Sequence, residues 1–202
     1  MTSPDWNAEE CVSPIVEENI HTLAQLTAFL ESLDCALYRQ LSGDRGQHSI
    51  GKHVRHIIDH YLTFLGLAGN PTGETLDYEH RQRDMVLETD RQAAIHCLAG
   101  LAGELSRILR DKPVKPLALN HNSEGHHQLF PSSIGRELVF LANHTVHHMA
   151  IIGLLAEQAG EQVGESFGVN PSTLRYWSQQ EQKNGRNNSS ACNNAGARVS
   201  VS

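Results

Sequence analysis

Two stretches decide how this chain is read: LANHTVHH at residues 141–148, and SIGKHVRHIIDHY at residues 49–61. An α-helix turns by about 100° per residue, so His148 lies about 40° from His144, while His147 lies about 60° away on the other side. Leu141, Ile151, Ile152 and Leu155 surround the same direction, which aims His144 and His148 into a core. One buried neutral imidazole is ordinary, because it can donate one hydrogen bond and accept another. Two of them one helical turn apart call for a shared partner. A transition metal supplies one, since neutral imidazole nitrogens at i and i+4 can point at a single ion. Satisfied core histidines are the alternative.

The earlier stretch offers a third ligand from a neighbouring helix, because His53, His56 and His60 lie within about 60° of one another on the helical wheel. The wheel does not choose among them. If Ile50, Val54, Ile57, Tyr61 and Leu65 form the apolar stripe, His53 and His60 lie closer to it than His56 does. Asp59 can orient a ligand from behind, or be simply solvated.

Outward from these stretches, apolar periodicity marks four helices. Residues 14–41 carry Val16, Ile20, Leu23, Leu26, Leu30, Leu33, Leu37 and Leu41 at three/four spacing, with Ser13 and Pro14 as cap and first position. A second helix runs over about 49–68 and is stopped by Gly69-Asn70-Pro71 and Gly73. Residues 70–88 form a polar connection. The third helix starts near Thr89, which with Gln92 has capping-box spacing, and continues through Ala93, Cys97, Leu101, Leu105 and Ile108 to Pro113. The segment between Pro113 and Pro131 is a loop or a short hairpin. The fourth helix starts at Ser132 or Ser133 and ends at Gly160 as its C′ glycine. The expectation is an all-α four-helix bundle with long crossover connections.

Phe167, Leu174, Tyr176 and Trp177 can cover one end of that bundle. The domain is therefore expected to fill residues 1–179 with its C-terminal extension packed on it. Residues 180–202 are Asn/Ser/Gly-rich and poor in large apolar side chains, and are expected to be a disordered polar tail.

Composition narrows the function. The 202 residues are 39% hydrophobic and 19% charged, with 16 Lys and Arg against 23 Asp and Glu, a formal charge of −7. That sign argues against nucleic acid and anionic membranes as partners. No uninterrupted apolar run approaches the roughly 18 residues of a membrane span, and the N-terminus opens acidic, so the protein is expected in the cytoplasm. Cys11, Cys35, Cys97 and Cys192 form no CxxC pair and are expected to be reduced thiols. Histidine is the unusual residue, with 13 copies, ten of them in the clusters His48/53/56/60, His121/126/127 and His144/147/148. The middle cluster, beside Glu124, reads as a polar turn. In LDYEHRQRD, Tyr78, Arg81, Arg83 and Asp84 can line the mouth of a pocket and bind a carboxylate, or form a solvated, salt-bridged connection. Arg136 and Glu137 carry the same two readings.

A ferritin-like di-iron site needs two ExxH helices, and the one ExxH present, Glu124 to His127, sits in a Gly-containing loop. HExxH, GxSxG, Walker A and GxGxxG are absent. With SIGxxxxH ending at His56, and HxxxH from His144 to His148 on a last helix closed by Gly160, the chain resembles the DinB/YfiT-like family over residues 14–160. That family consists of four-helix bundles taken to be metalloenzymes. Its last histidine is often followed by Arg-Gly, where this chain has Met149-Ala150.

The resemblance implies a divalent metal on His56, His144 and His148, with His60 and His147 as substitutes and Asp59 as a supporting group. It also implies chemistry on a low-molecular-weight thiol, as in the family's S-transferases. The expected protein is a mononuclear metal-dependent enzyme activating a small thiol, or a water, for transfer or hydrolysis. Arg81 and Arg83 would steer the small-molecule substrate. Zinc, nickel and iron all suit imidazole ligands. The alternative is a non-catalytic metal-binding or stress-response bundle, and a homodimer through an exposed helix face suits either.

Overall fold

The computed structural model describes residues 8–68, 75–111 and 116–195, with side chains over 14–67, 75–107 and 117–183. Helices dominate, in the order α1 (Ala8–Ser32), α2 (Cys35–Arg39), α3 (Ile50–Ala68), α4 (Val86–Thr89), α5 (Arg91–Asp111), α6 (Ile134–Gln158) and α7 (Pro171–Ala195). Three strands interrupt them: β1 (Thr75–Leu76), β2 (Pro116–Ser123) and β3 (His126–Ser133). The helix stops assigned to Gly69-Asn70-Pro71, Gly73 and Pro113 lie outside the described residues.

Local chemistry explains the helix ends. Ser49 Oγ accepts from the Lys52 N–H at 3.1 Å and caps α3. Ser133 Oγ does the same for α6 through the Arg136 N–H. That helix closes as a Schellman motif, with Gly160 at φ 92° and the Glu161 N–H donating back to the Ala156 carbonyl at 3.0 Å.

Three expectations for the helices need correction. Pro14 lies inside α1 rather than at its start, because Ala8, Glu9 and Glu10 are strong helix formers that extend it upstream. The expected helix over 14–41 breaks after Ser32, because the Asp34 carboxylate accepts from the Ala36 and Leu37 N–H groups and starts the separate α2, leaving Leu41 exposed. The cap of α5 is Asp90, whose Oδ1 accepts from the Ala93 N–H at 3.0 Å, and not Thr89, which ends α4.

Helices α1, α5, α3 and α6 touch in a closed ring, each packing on two neighbours around one core that includes Leu23, Leu26, Ile57, Tyr61, Leu98, Leu138 and Ile152. By length and composition α6 is apolar enough to cross a membrane; its buried stripe against α1 and α3 accounts for that composition. The chain is not all-α. β2 and β3 form an antiparallel hairpin turned by Glu124 and Gly125, both at positive φ, and β1 adds to β2 in parallel.

Beyond α6, Phe167 packs on Phe29 with ring centroids 4.4 Å apart. Gly168 at φ 68° fits against α6, where an added Cβ would sit 2.5 Å from the Ala150 nitrogen. Among the described residues one compact unit ends at Gly168 and a second begins at Val169. In that second unit α7 continues to Ala195, so residues 180–195, expected to be disordered, are helical. Asn170 Oδ1 caps α7 through the Ser172 N–H, Pro171 sits at its first position, and Gln, Glu, Lys and Arg carry it onward. Residues 196–202 lie outside the described residues.

Candidate metal centre

The interface between α3 and α6 holds a row of imidazoles. His56 faces His144 and His148, with ring centroids 5.0 and 4.5 Å away, and His60 faces His144 at 4.3 Å. His56, His60 and His144 each offer one ring nitrogen such that all three lie within 4.8 Å of one another. Of the sequence-derived ligands His56, His144 and His148, the first two therefore converge with the substitute His60. His148 stands beside them, its Nδ1 hydrogen-bonded to His53 Nδ1 at 3.0 Å.

The wheel placed His144 and His148 in the middle of the apolar stripe. The buried line of α6 runs instead through Leu138, Leu141, Thr145, Met149 and Ile152, and both histidines flank it, half-buried. His60 is almost fully buried, as its closeness to the stripe of α3 indicated. His147 is exposed, and its ring touches that of His148.

Hydrogen bonding fixes one tautomer. His60 Nδ1 lies 2.8 Å from the His56 carbonyl oxygen. A carbonyl can only accept, so Nδ1 carries the proton and Nε2 presents its lone pair. That lone pair accepts from Arg81 Nη1 at 2.9 Å. His144 Nε2 is buried and has no hydrogen-bond partner.

Burial is the first cause that holds these rings neutral. It lowers His56 to about 2, with the neighbouring His60, His148, His144 and Arg81 adding to the effect. His148 is lowered to about 3 by burial and then by His144, His53 and His147. His60 and His144 are each lowered to about 4, again chiefly by burial. Neutral rings are what a metal requires of imidazole. Convergent nitrogens, an orphaned buried Nε2 and a tautomer with its lone pair on Nε2 together fit a divalent transition ion.

The backing of α3 is an ion network that sequence reading did not assemble. Arg55 reaches Glu88 Oε1 and Asp59 Oδ2, both at 2.8 Å, and both acids are buried. Asp59 is thus neither solvated nor orienting a histidine: its carboxylate pairs with Arg55. Gly51 of the SIG motif makes this possible, since a Cβ there would come within 2.1 Å of the Glu88 carbonyl oxygen. Glu137 is also buried, accepting from Tyr78 Oη at 3.0 Å, from Arg136 Nη1 at 2.8 Å and from the Ser132 hydroxyl. It holds the Tyr78 ring against His60. No local signal marked Glu88, whose partner Arg55 comes from α3; Glu137 stood out beside Arg136, but its burial and its bond to the distant Tyr78 did not.

Beside His60 opens a cleft of about 600 Å³ lined by His60, Tyr78, Glu79, His80, Arg81, Arg83 and Asn122. It contains both arginines singled out in the sequence. The hairpin histidines His121, His126 and His127 are exposed and join no potential metal group among the described residues. Cys35 and Cys97 are free thiols.

The family model of the DinB superfamily matches residues 14–152. Over 104 residues the chain is 36% identical to FK506-binding protein 5 of Rhizopus delemar, a match covering 50% of this chain and 27% of that protein. The chain therefore spans well under half the length of that relative. No solved structure matches the chain.

Proposed function

Because the chain belongs to the DinB superfamily, we propose that it is a mononuclear metal-dependent enzyme built on a four-helix bundle, activating a small thiol, or a water, for transfer or hydrolysis. The observation that carries this reading is the convergence of His56, His60 and His144, with His148 at hand, where His60 also lines an open cleft. A site meant only to hold a fold is closed by four protein ligands, whereas a three-histidine set beside a cleft leaves room for a substrate atom. A bound divalent ion supplies Lewis-acid chemistry, lowering the pKa of a thiol or water beside it.

The chain's own residues do the rest. Burial keeps the ligand rings deprotonated at neutral pH. The His56 carbonyl holds His60 in the tautomer that offers Nε2, and Tyr78 and Phe140 wall off one side of the rings. We place this activity in the cytoplasm, with a small molecule rather than nucleic acid or membrane as the partner, and with zinc, nickel or iron as the ion. The finer ligand choice, His60 or His148 as third nitrogen, belongs to the same proposal.

The test is reconstitution of purified protein with each metal, followed by addition of a small thiol to the cobalt form. A change in the visible spectrum on thiol addition supports an open coordination position. A spectrum that thiol and pH leave unmoved, with metal only raising the melting temperature, supports the non-catalytic bundle instead.

A further inference from the structure

The cleft beside the histidines is cationic in a protein whose formal charge is −7. Arg81 and Arg83 both line it. Among the described residues Arg81 donates from Nη1 to His60 Nε2, and its Nε is buried with no partner. Arg83 makes no hydrogen bond or ion pair among the described residues, and its backbone is held at φ 51°, a region that side-chain-bearing residues rarely adopt. Most structural arginines here are answered by acids or carbonyls. Arg55 pairs with Asp59 and Glu88, Arg136 with Glu137, and Arg91 caps the end of α1 through the Leu30 carbonyl. The two cleft arginines form no ion pair among the described residues: Asp59 acts on both from a distance, but its carboxylate is bonded to Arg55. The acid that shares their cleft, Glu79, is turned to the hairpin, where it accepts from the Asn122 N–H at 3.2 Å and meets His121 Nδ1 at 3.4 Å.

We infer that this cleft is an oxyanion subsite, in which Arg81 and Arg83 take the carboxylate or phosphoryl group of a small substrate and hold it beside the histidine cluster. The planar guanidinium fork matches both groups, and a bidentate pair fixes orientation as well as affinity. The juxtaposition is direct: the same Arg81 that would grip the anion touches His60, one of the three convergent rings. A substrate anchored there by its anionic end would present its other end toward the cluster. The cleft volume of about 600 Å³ suits a small molecule and not a polymer. This inference rests on the reading of the histidine cluster as the reactive site, but the anion subsite can be measured without any metal.

The experiment is isothermal titration of metal-free protein with succinate and, separately, with inorganic phosphate at low ionic strength. The same titrations are run on Arg81→Gln, Arg83→Gln and, as a control, the exposed Arg39→Gln. Circular dichroism establishes that each variant is folded. The expected result is saturable binding of at least one anion by the wild type, weakened about tenfold or more in each cleft variant and unchanged in Arg39→Gln. The better ligand identifies the anion class. Arg83→Gln is decisive should Arg81→Gln fail to fold, because Arg83 is exposed and bonded to nothing described. Absence of binding by the folded wild type, or equal binding by the cleft variants, overturns the inference. Anion binding without stoichiometric metal would keep the subsite and sink the metalloenzyme reading; metal without anion binding would do the reverse.

Discussion

The same residue type fills two places in this molecule with opposite results. On α3 and α6 the histidines pack ring against ring between helices, and burial and mutual proximity hold them neutral. On the β2–β3 hairpin, His121, His126 and His127 stand exposed on the two faces of the ribbon, bonded at most to Asn120 or Glu79. A cluster in the sequence is therefore not a cluster in chemistry. What separates them is the scaffold: helices packed around a core bring side chains of distant segments to one point, whereas adjacent strands only spread neighbouring residues over a surface.

Gly51→Ala and Gly125→Ala break the comparison at its backbone. The first drives a Cβ into the Glu88 carbonyl and should cost about 3 kcal/mol, because neither α3 nor α4 can yield without losing its core contacts. The second meets open space and suffers only from its φ of 84°, about 1 kcal/mol. Chemical denaturation of both variants measures the difference, and equal losses would show that the α3–α4 approach is slack.

Acid provides the next contrast. The buried rings titrate in the folded chain near 2 to 4, below the ordinary value of 6.5, so between those limits the unfolded chain binds more protons. Stability of the metal-free protein should be full above about pH 6.5 and fall as pH drops toward 4. Replacing the three hairpin histidines together should leave that profile in place. Loss of the acid sensitivity in the hairpin variant would place its source on the wrong cluster.

A smaller effect is expected where the site meets the core. Tyr61 Oη donates to Asn19 Oδ1 at 2.6 Å and accepts from Thr145 Oγ1 at 3.3 Å, all of them buried. Tyr61→Phe should cost about 1–2 kcal/mol in thermal denaturation, mostly for the partner left unsatisfied. The smallest change is His126→Ala, which should stay within about 0.5 kcal/mol of the wild type.

The parts of the fold legible in the sequence were those controlled by neighbours in the chain. Ser49, Ser133 and Gly160 mark their helix ends correctly because a cap needs only the residues beside it. The break at Asp34 was hidden under an apolar spacing that continues through it, since Leu33, in the bend after α1, and Leu37, in α2, both reach the core. The short β1 and α4 are set by what they pack against and carry little local signal. In the site, the family resemblance brought His56 forward and kept His60 in reserve, whereas spacing aimed His144 and His148 at the core and left the ligand from α3 open. It could not choose between His60 and His148, because that depends on where α3 lies along α6. Glu88 was illegible because its partner Arg55 comes from another helix, and Glu137, legible beside Arg136, could not be placed in the core without Tyr78 from a distant segment.

The measurement that bears most directly on the central claim is metal content by mass spectrometry, on untagged protein purified without chelator and reconstituted with zinc, nickel or iron. Wild type would be compared with His56→Ala, His144→Ala, the His144→Ala/His148→Ala double variant and His126→Ala/His127→Ala. The account predicts about one ion per chain in the wild type and the hairpin variant, and a loss of at least tenfold in occupancy in each helix variant. Full occupancy in the helix variants, or no ion in any of the proteins, would contradict it and leave the buried imidazoles as core residues alone.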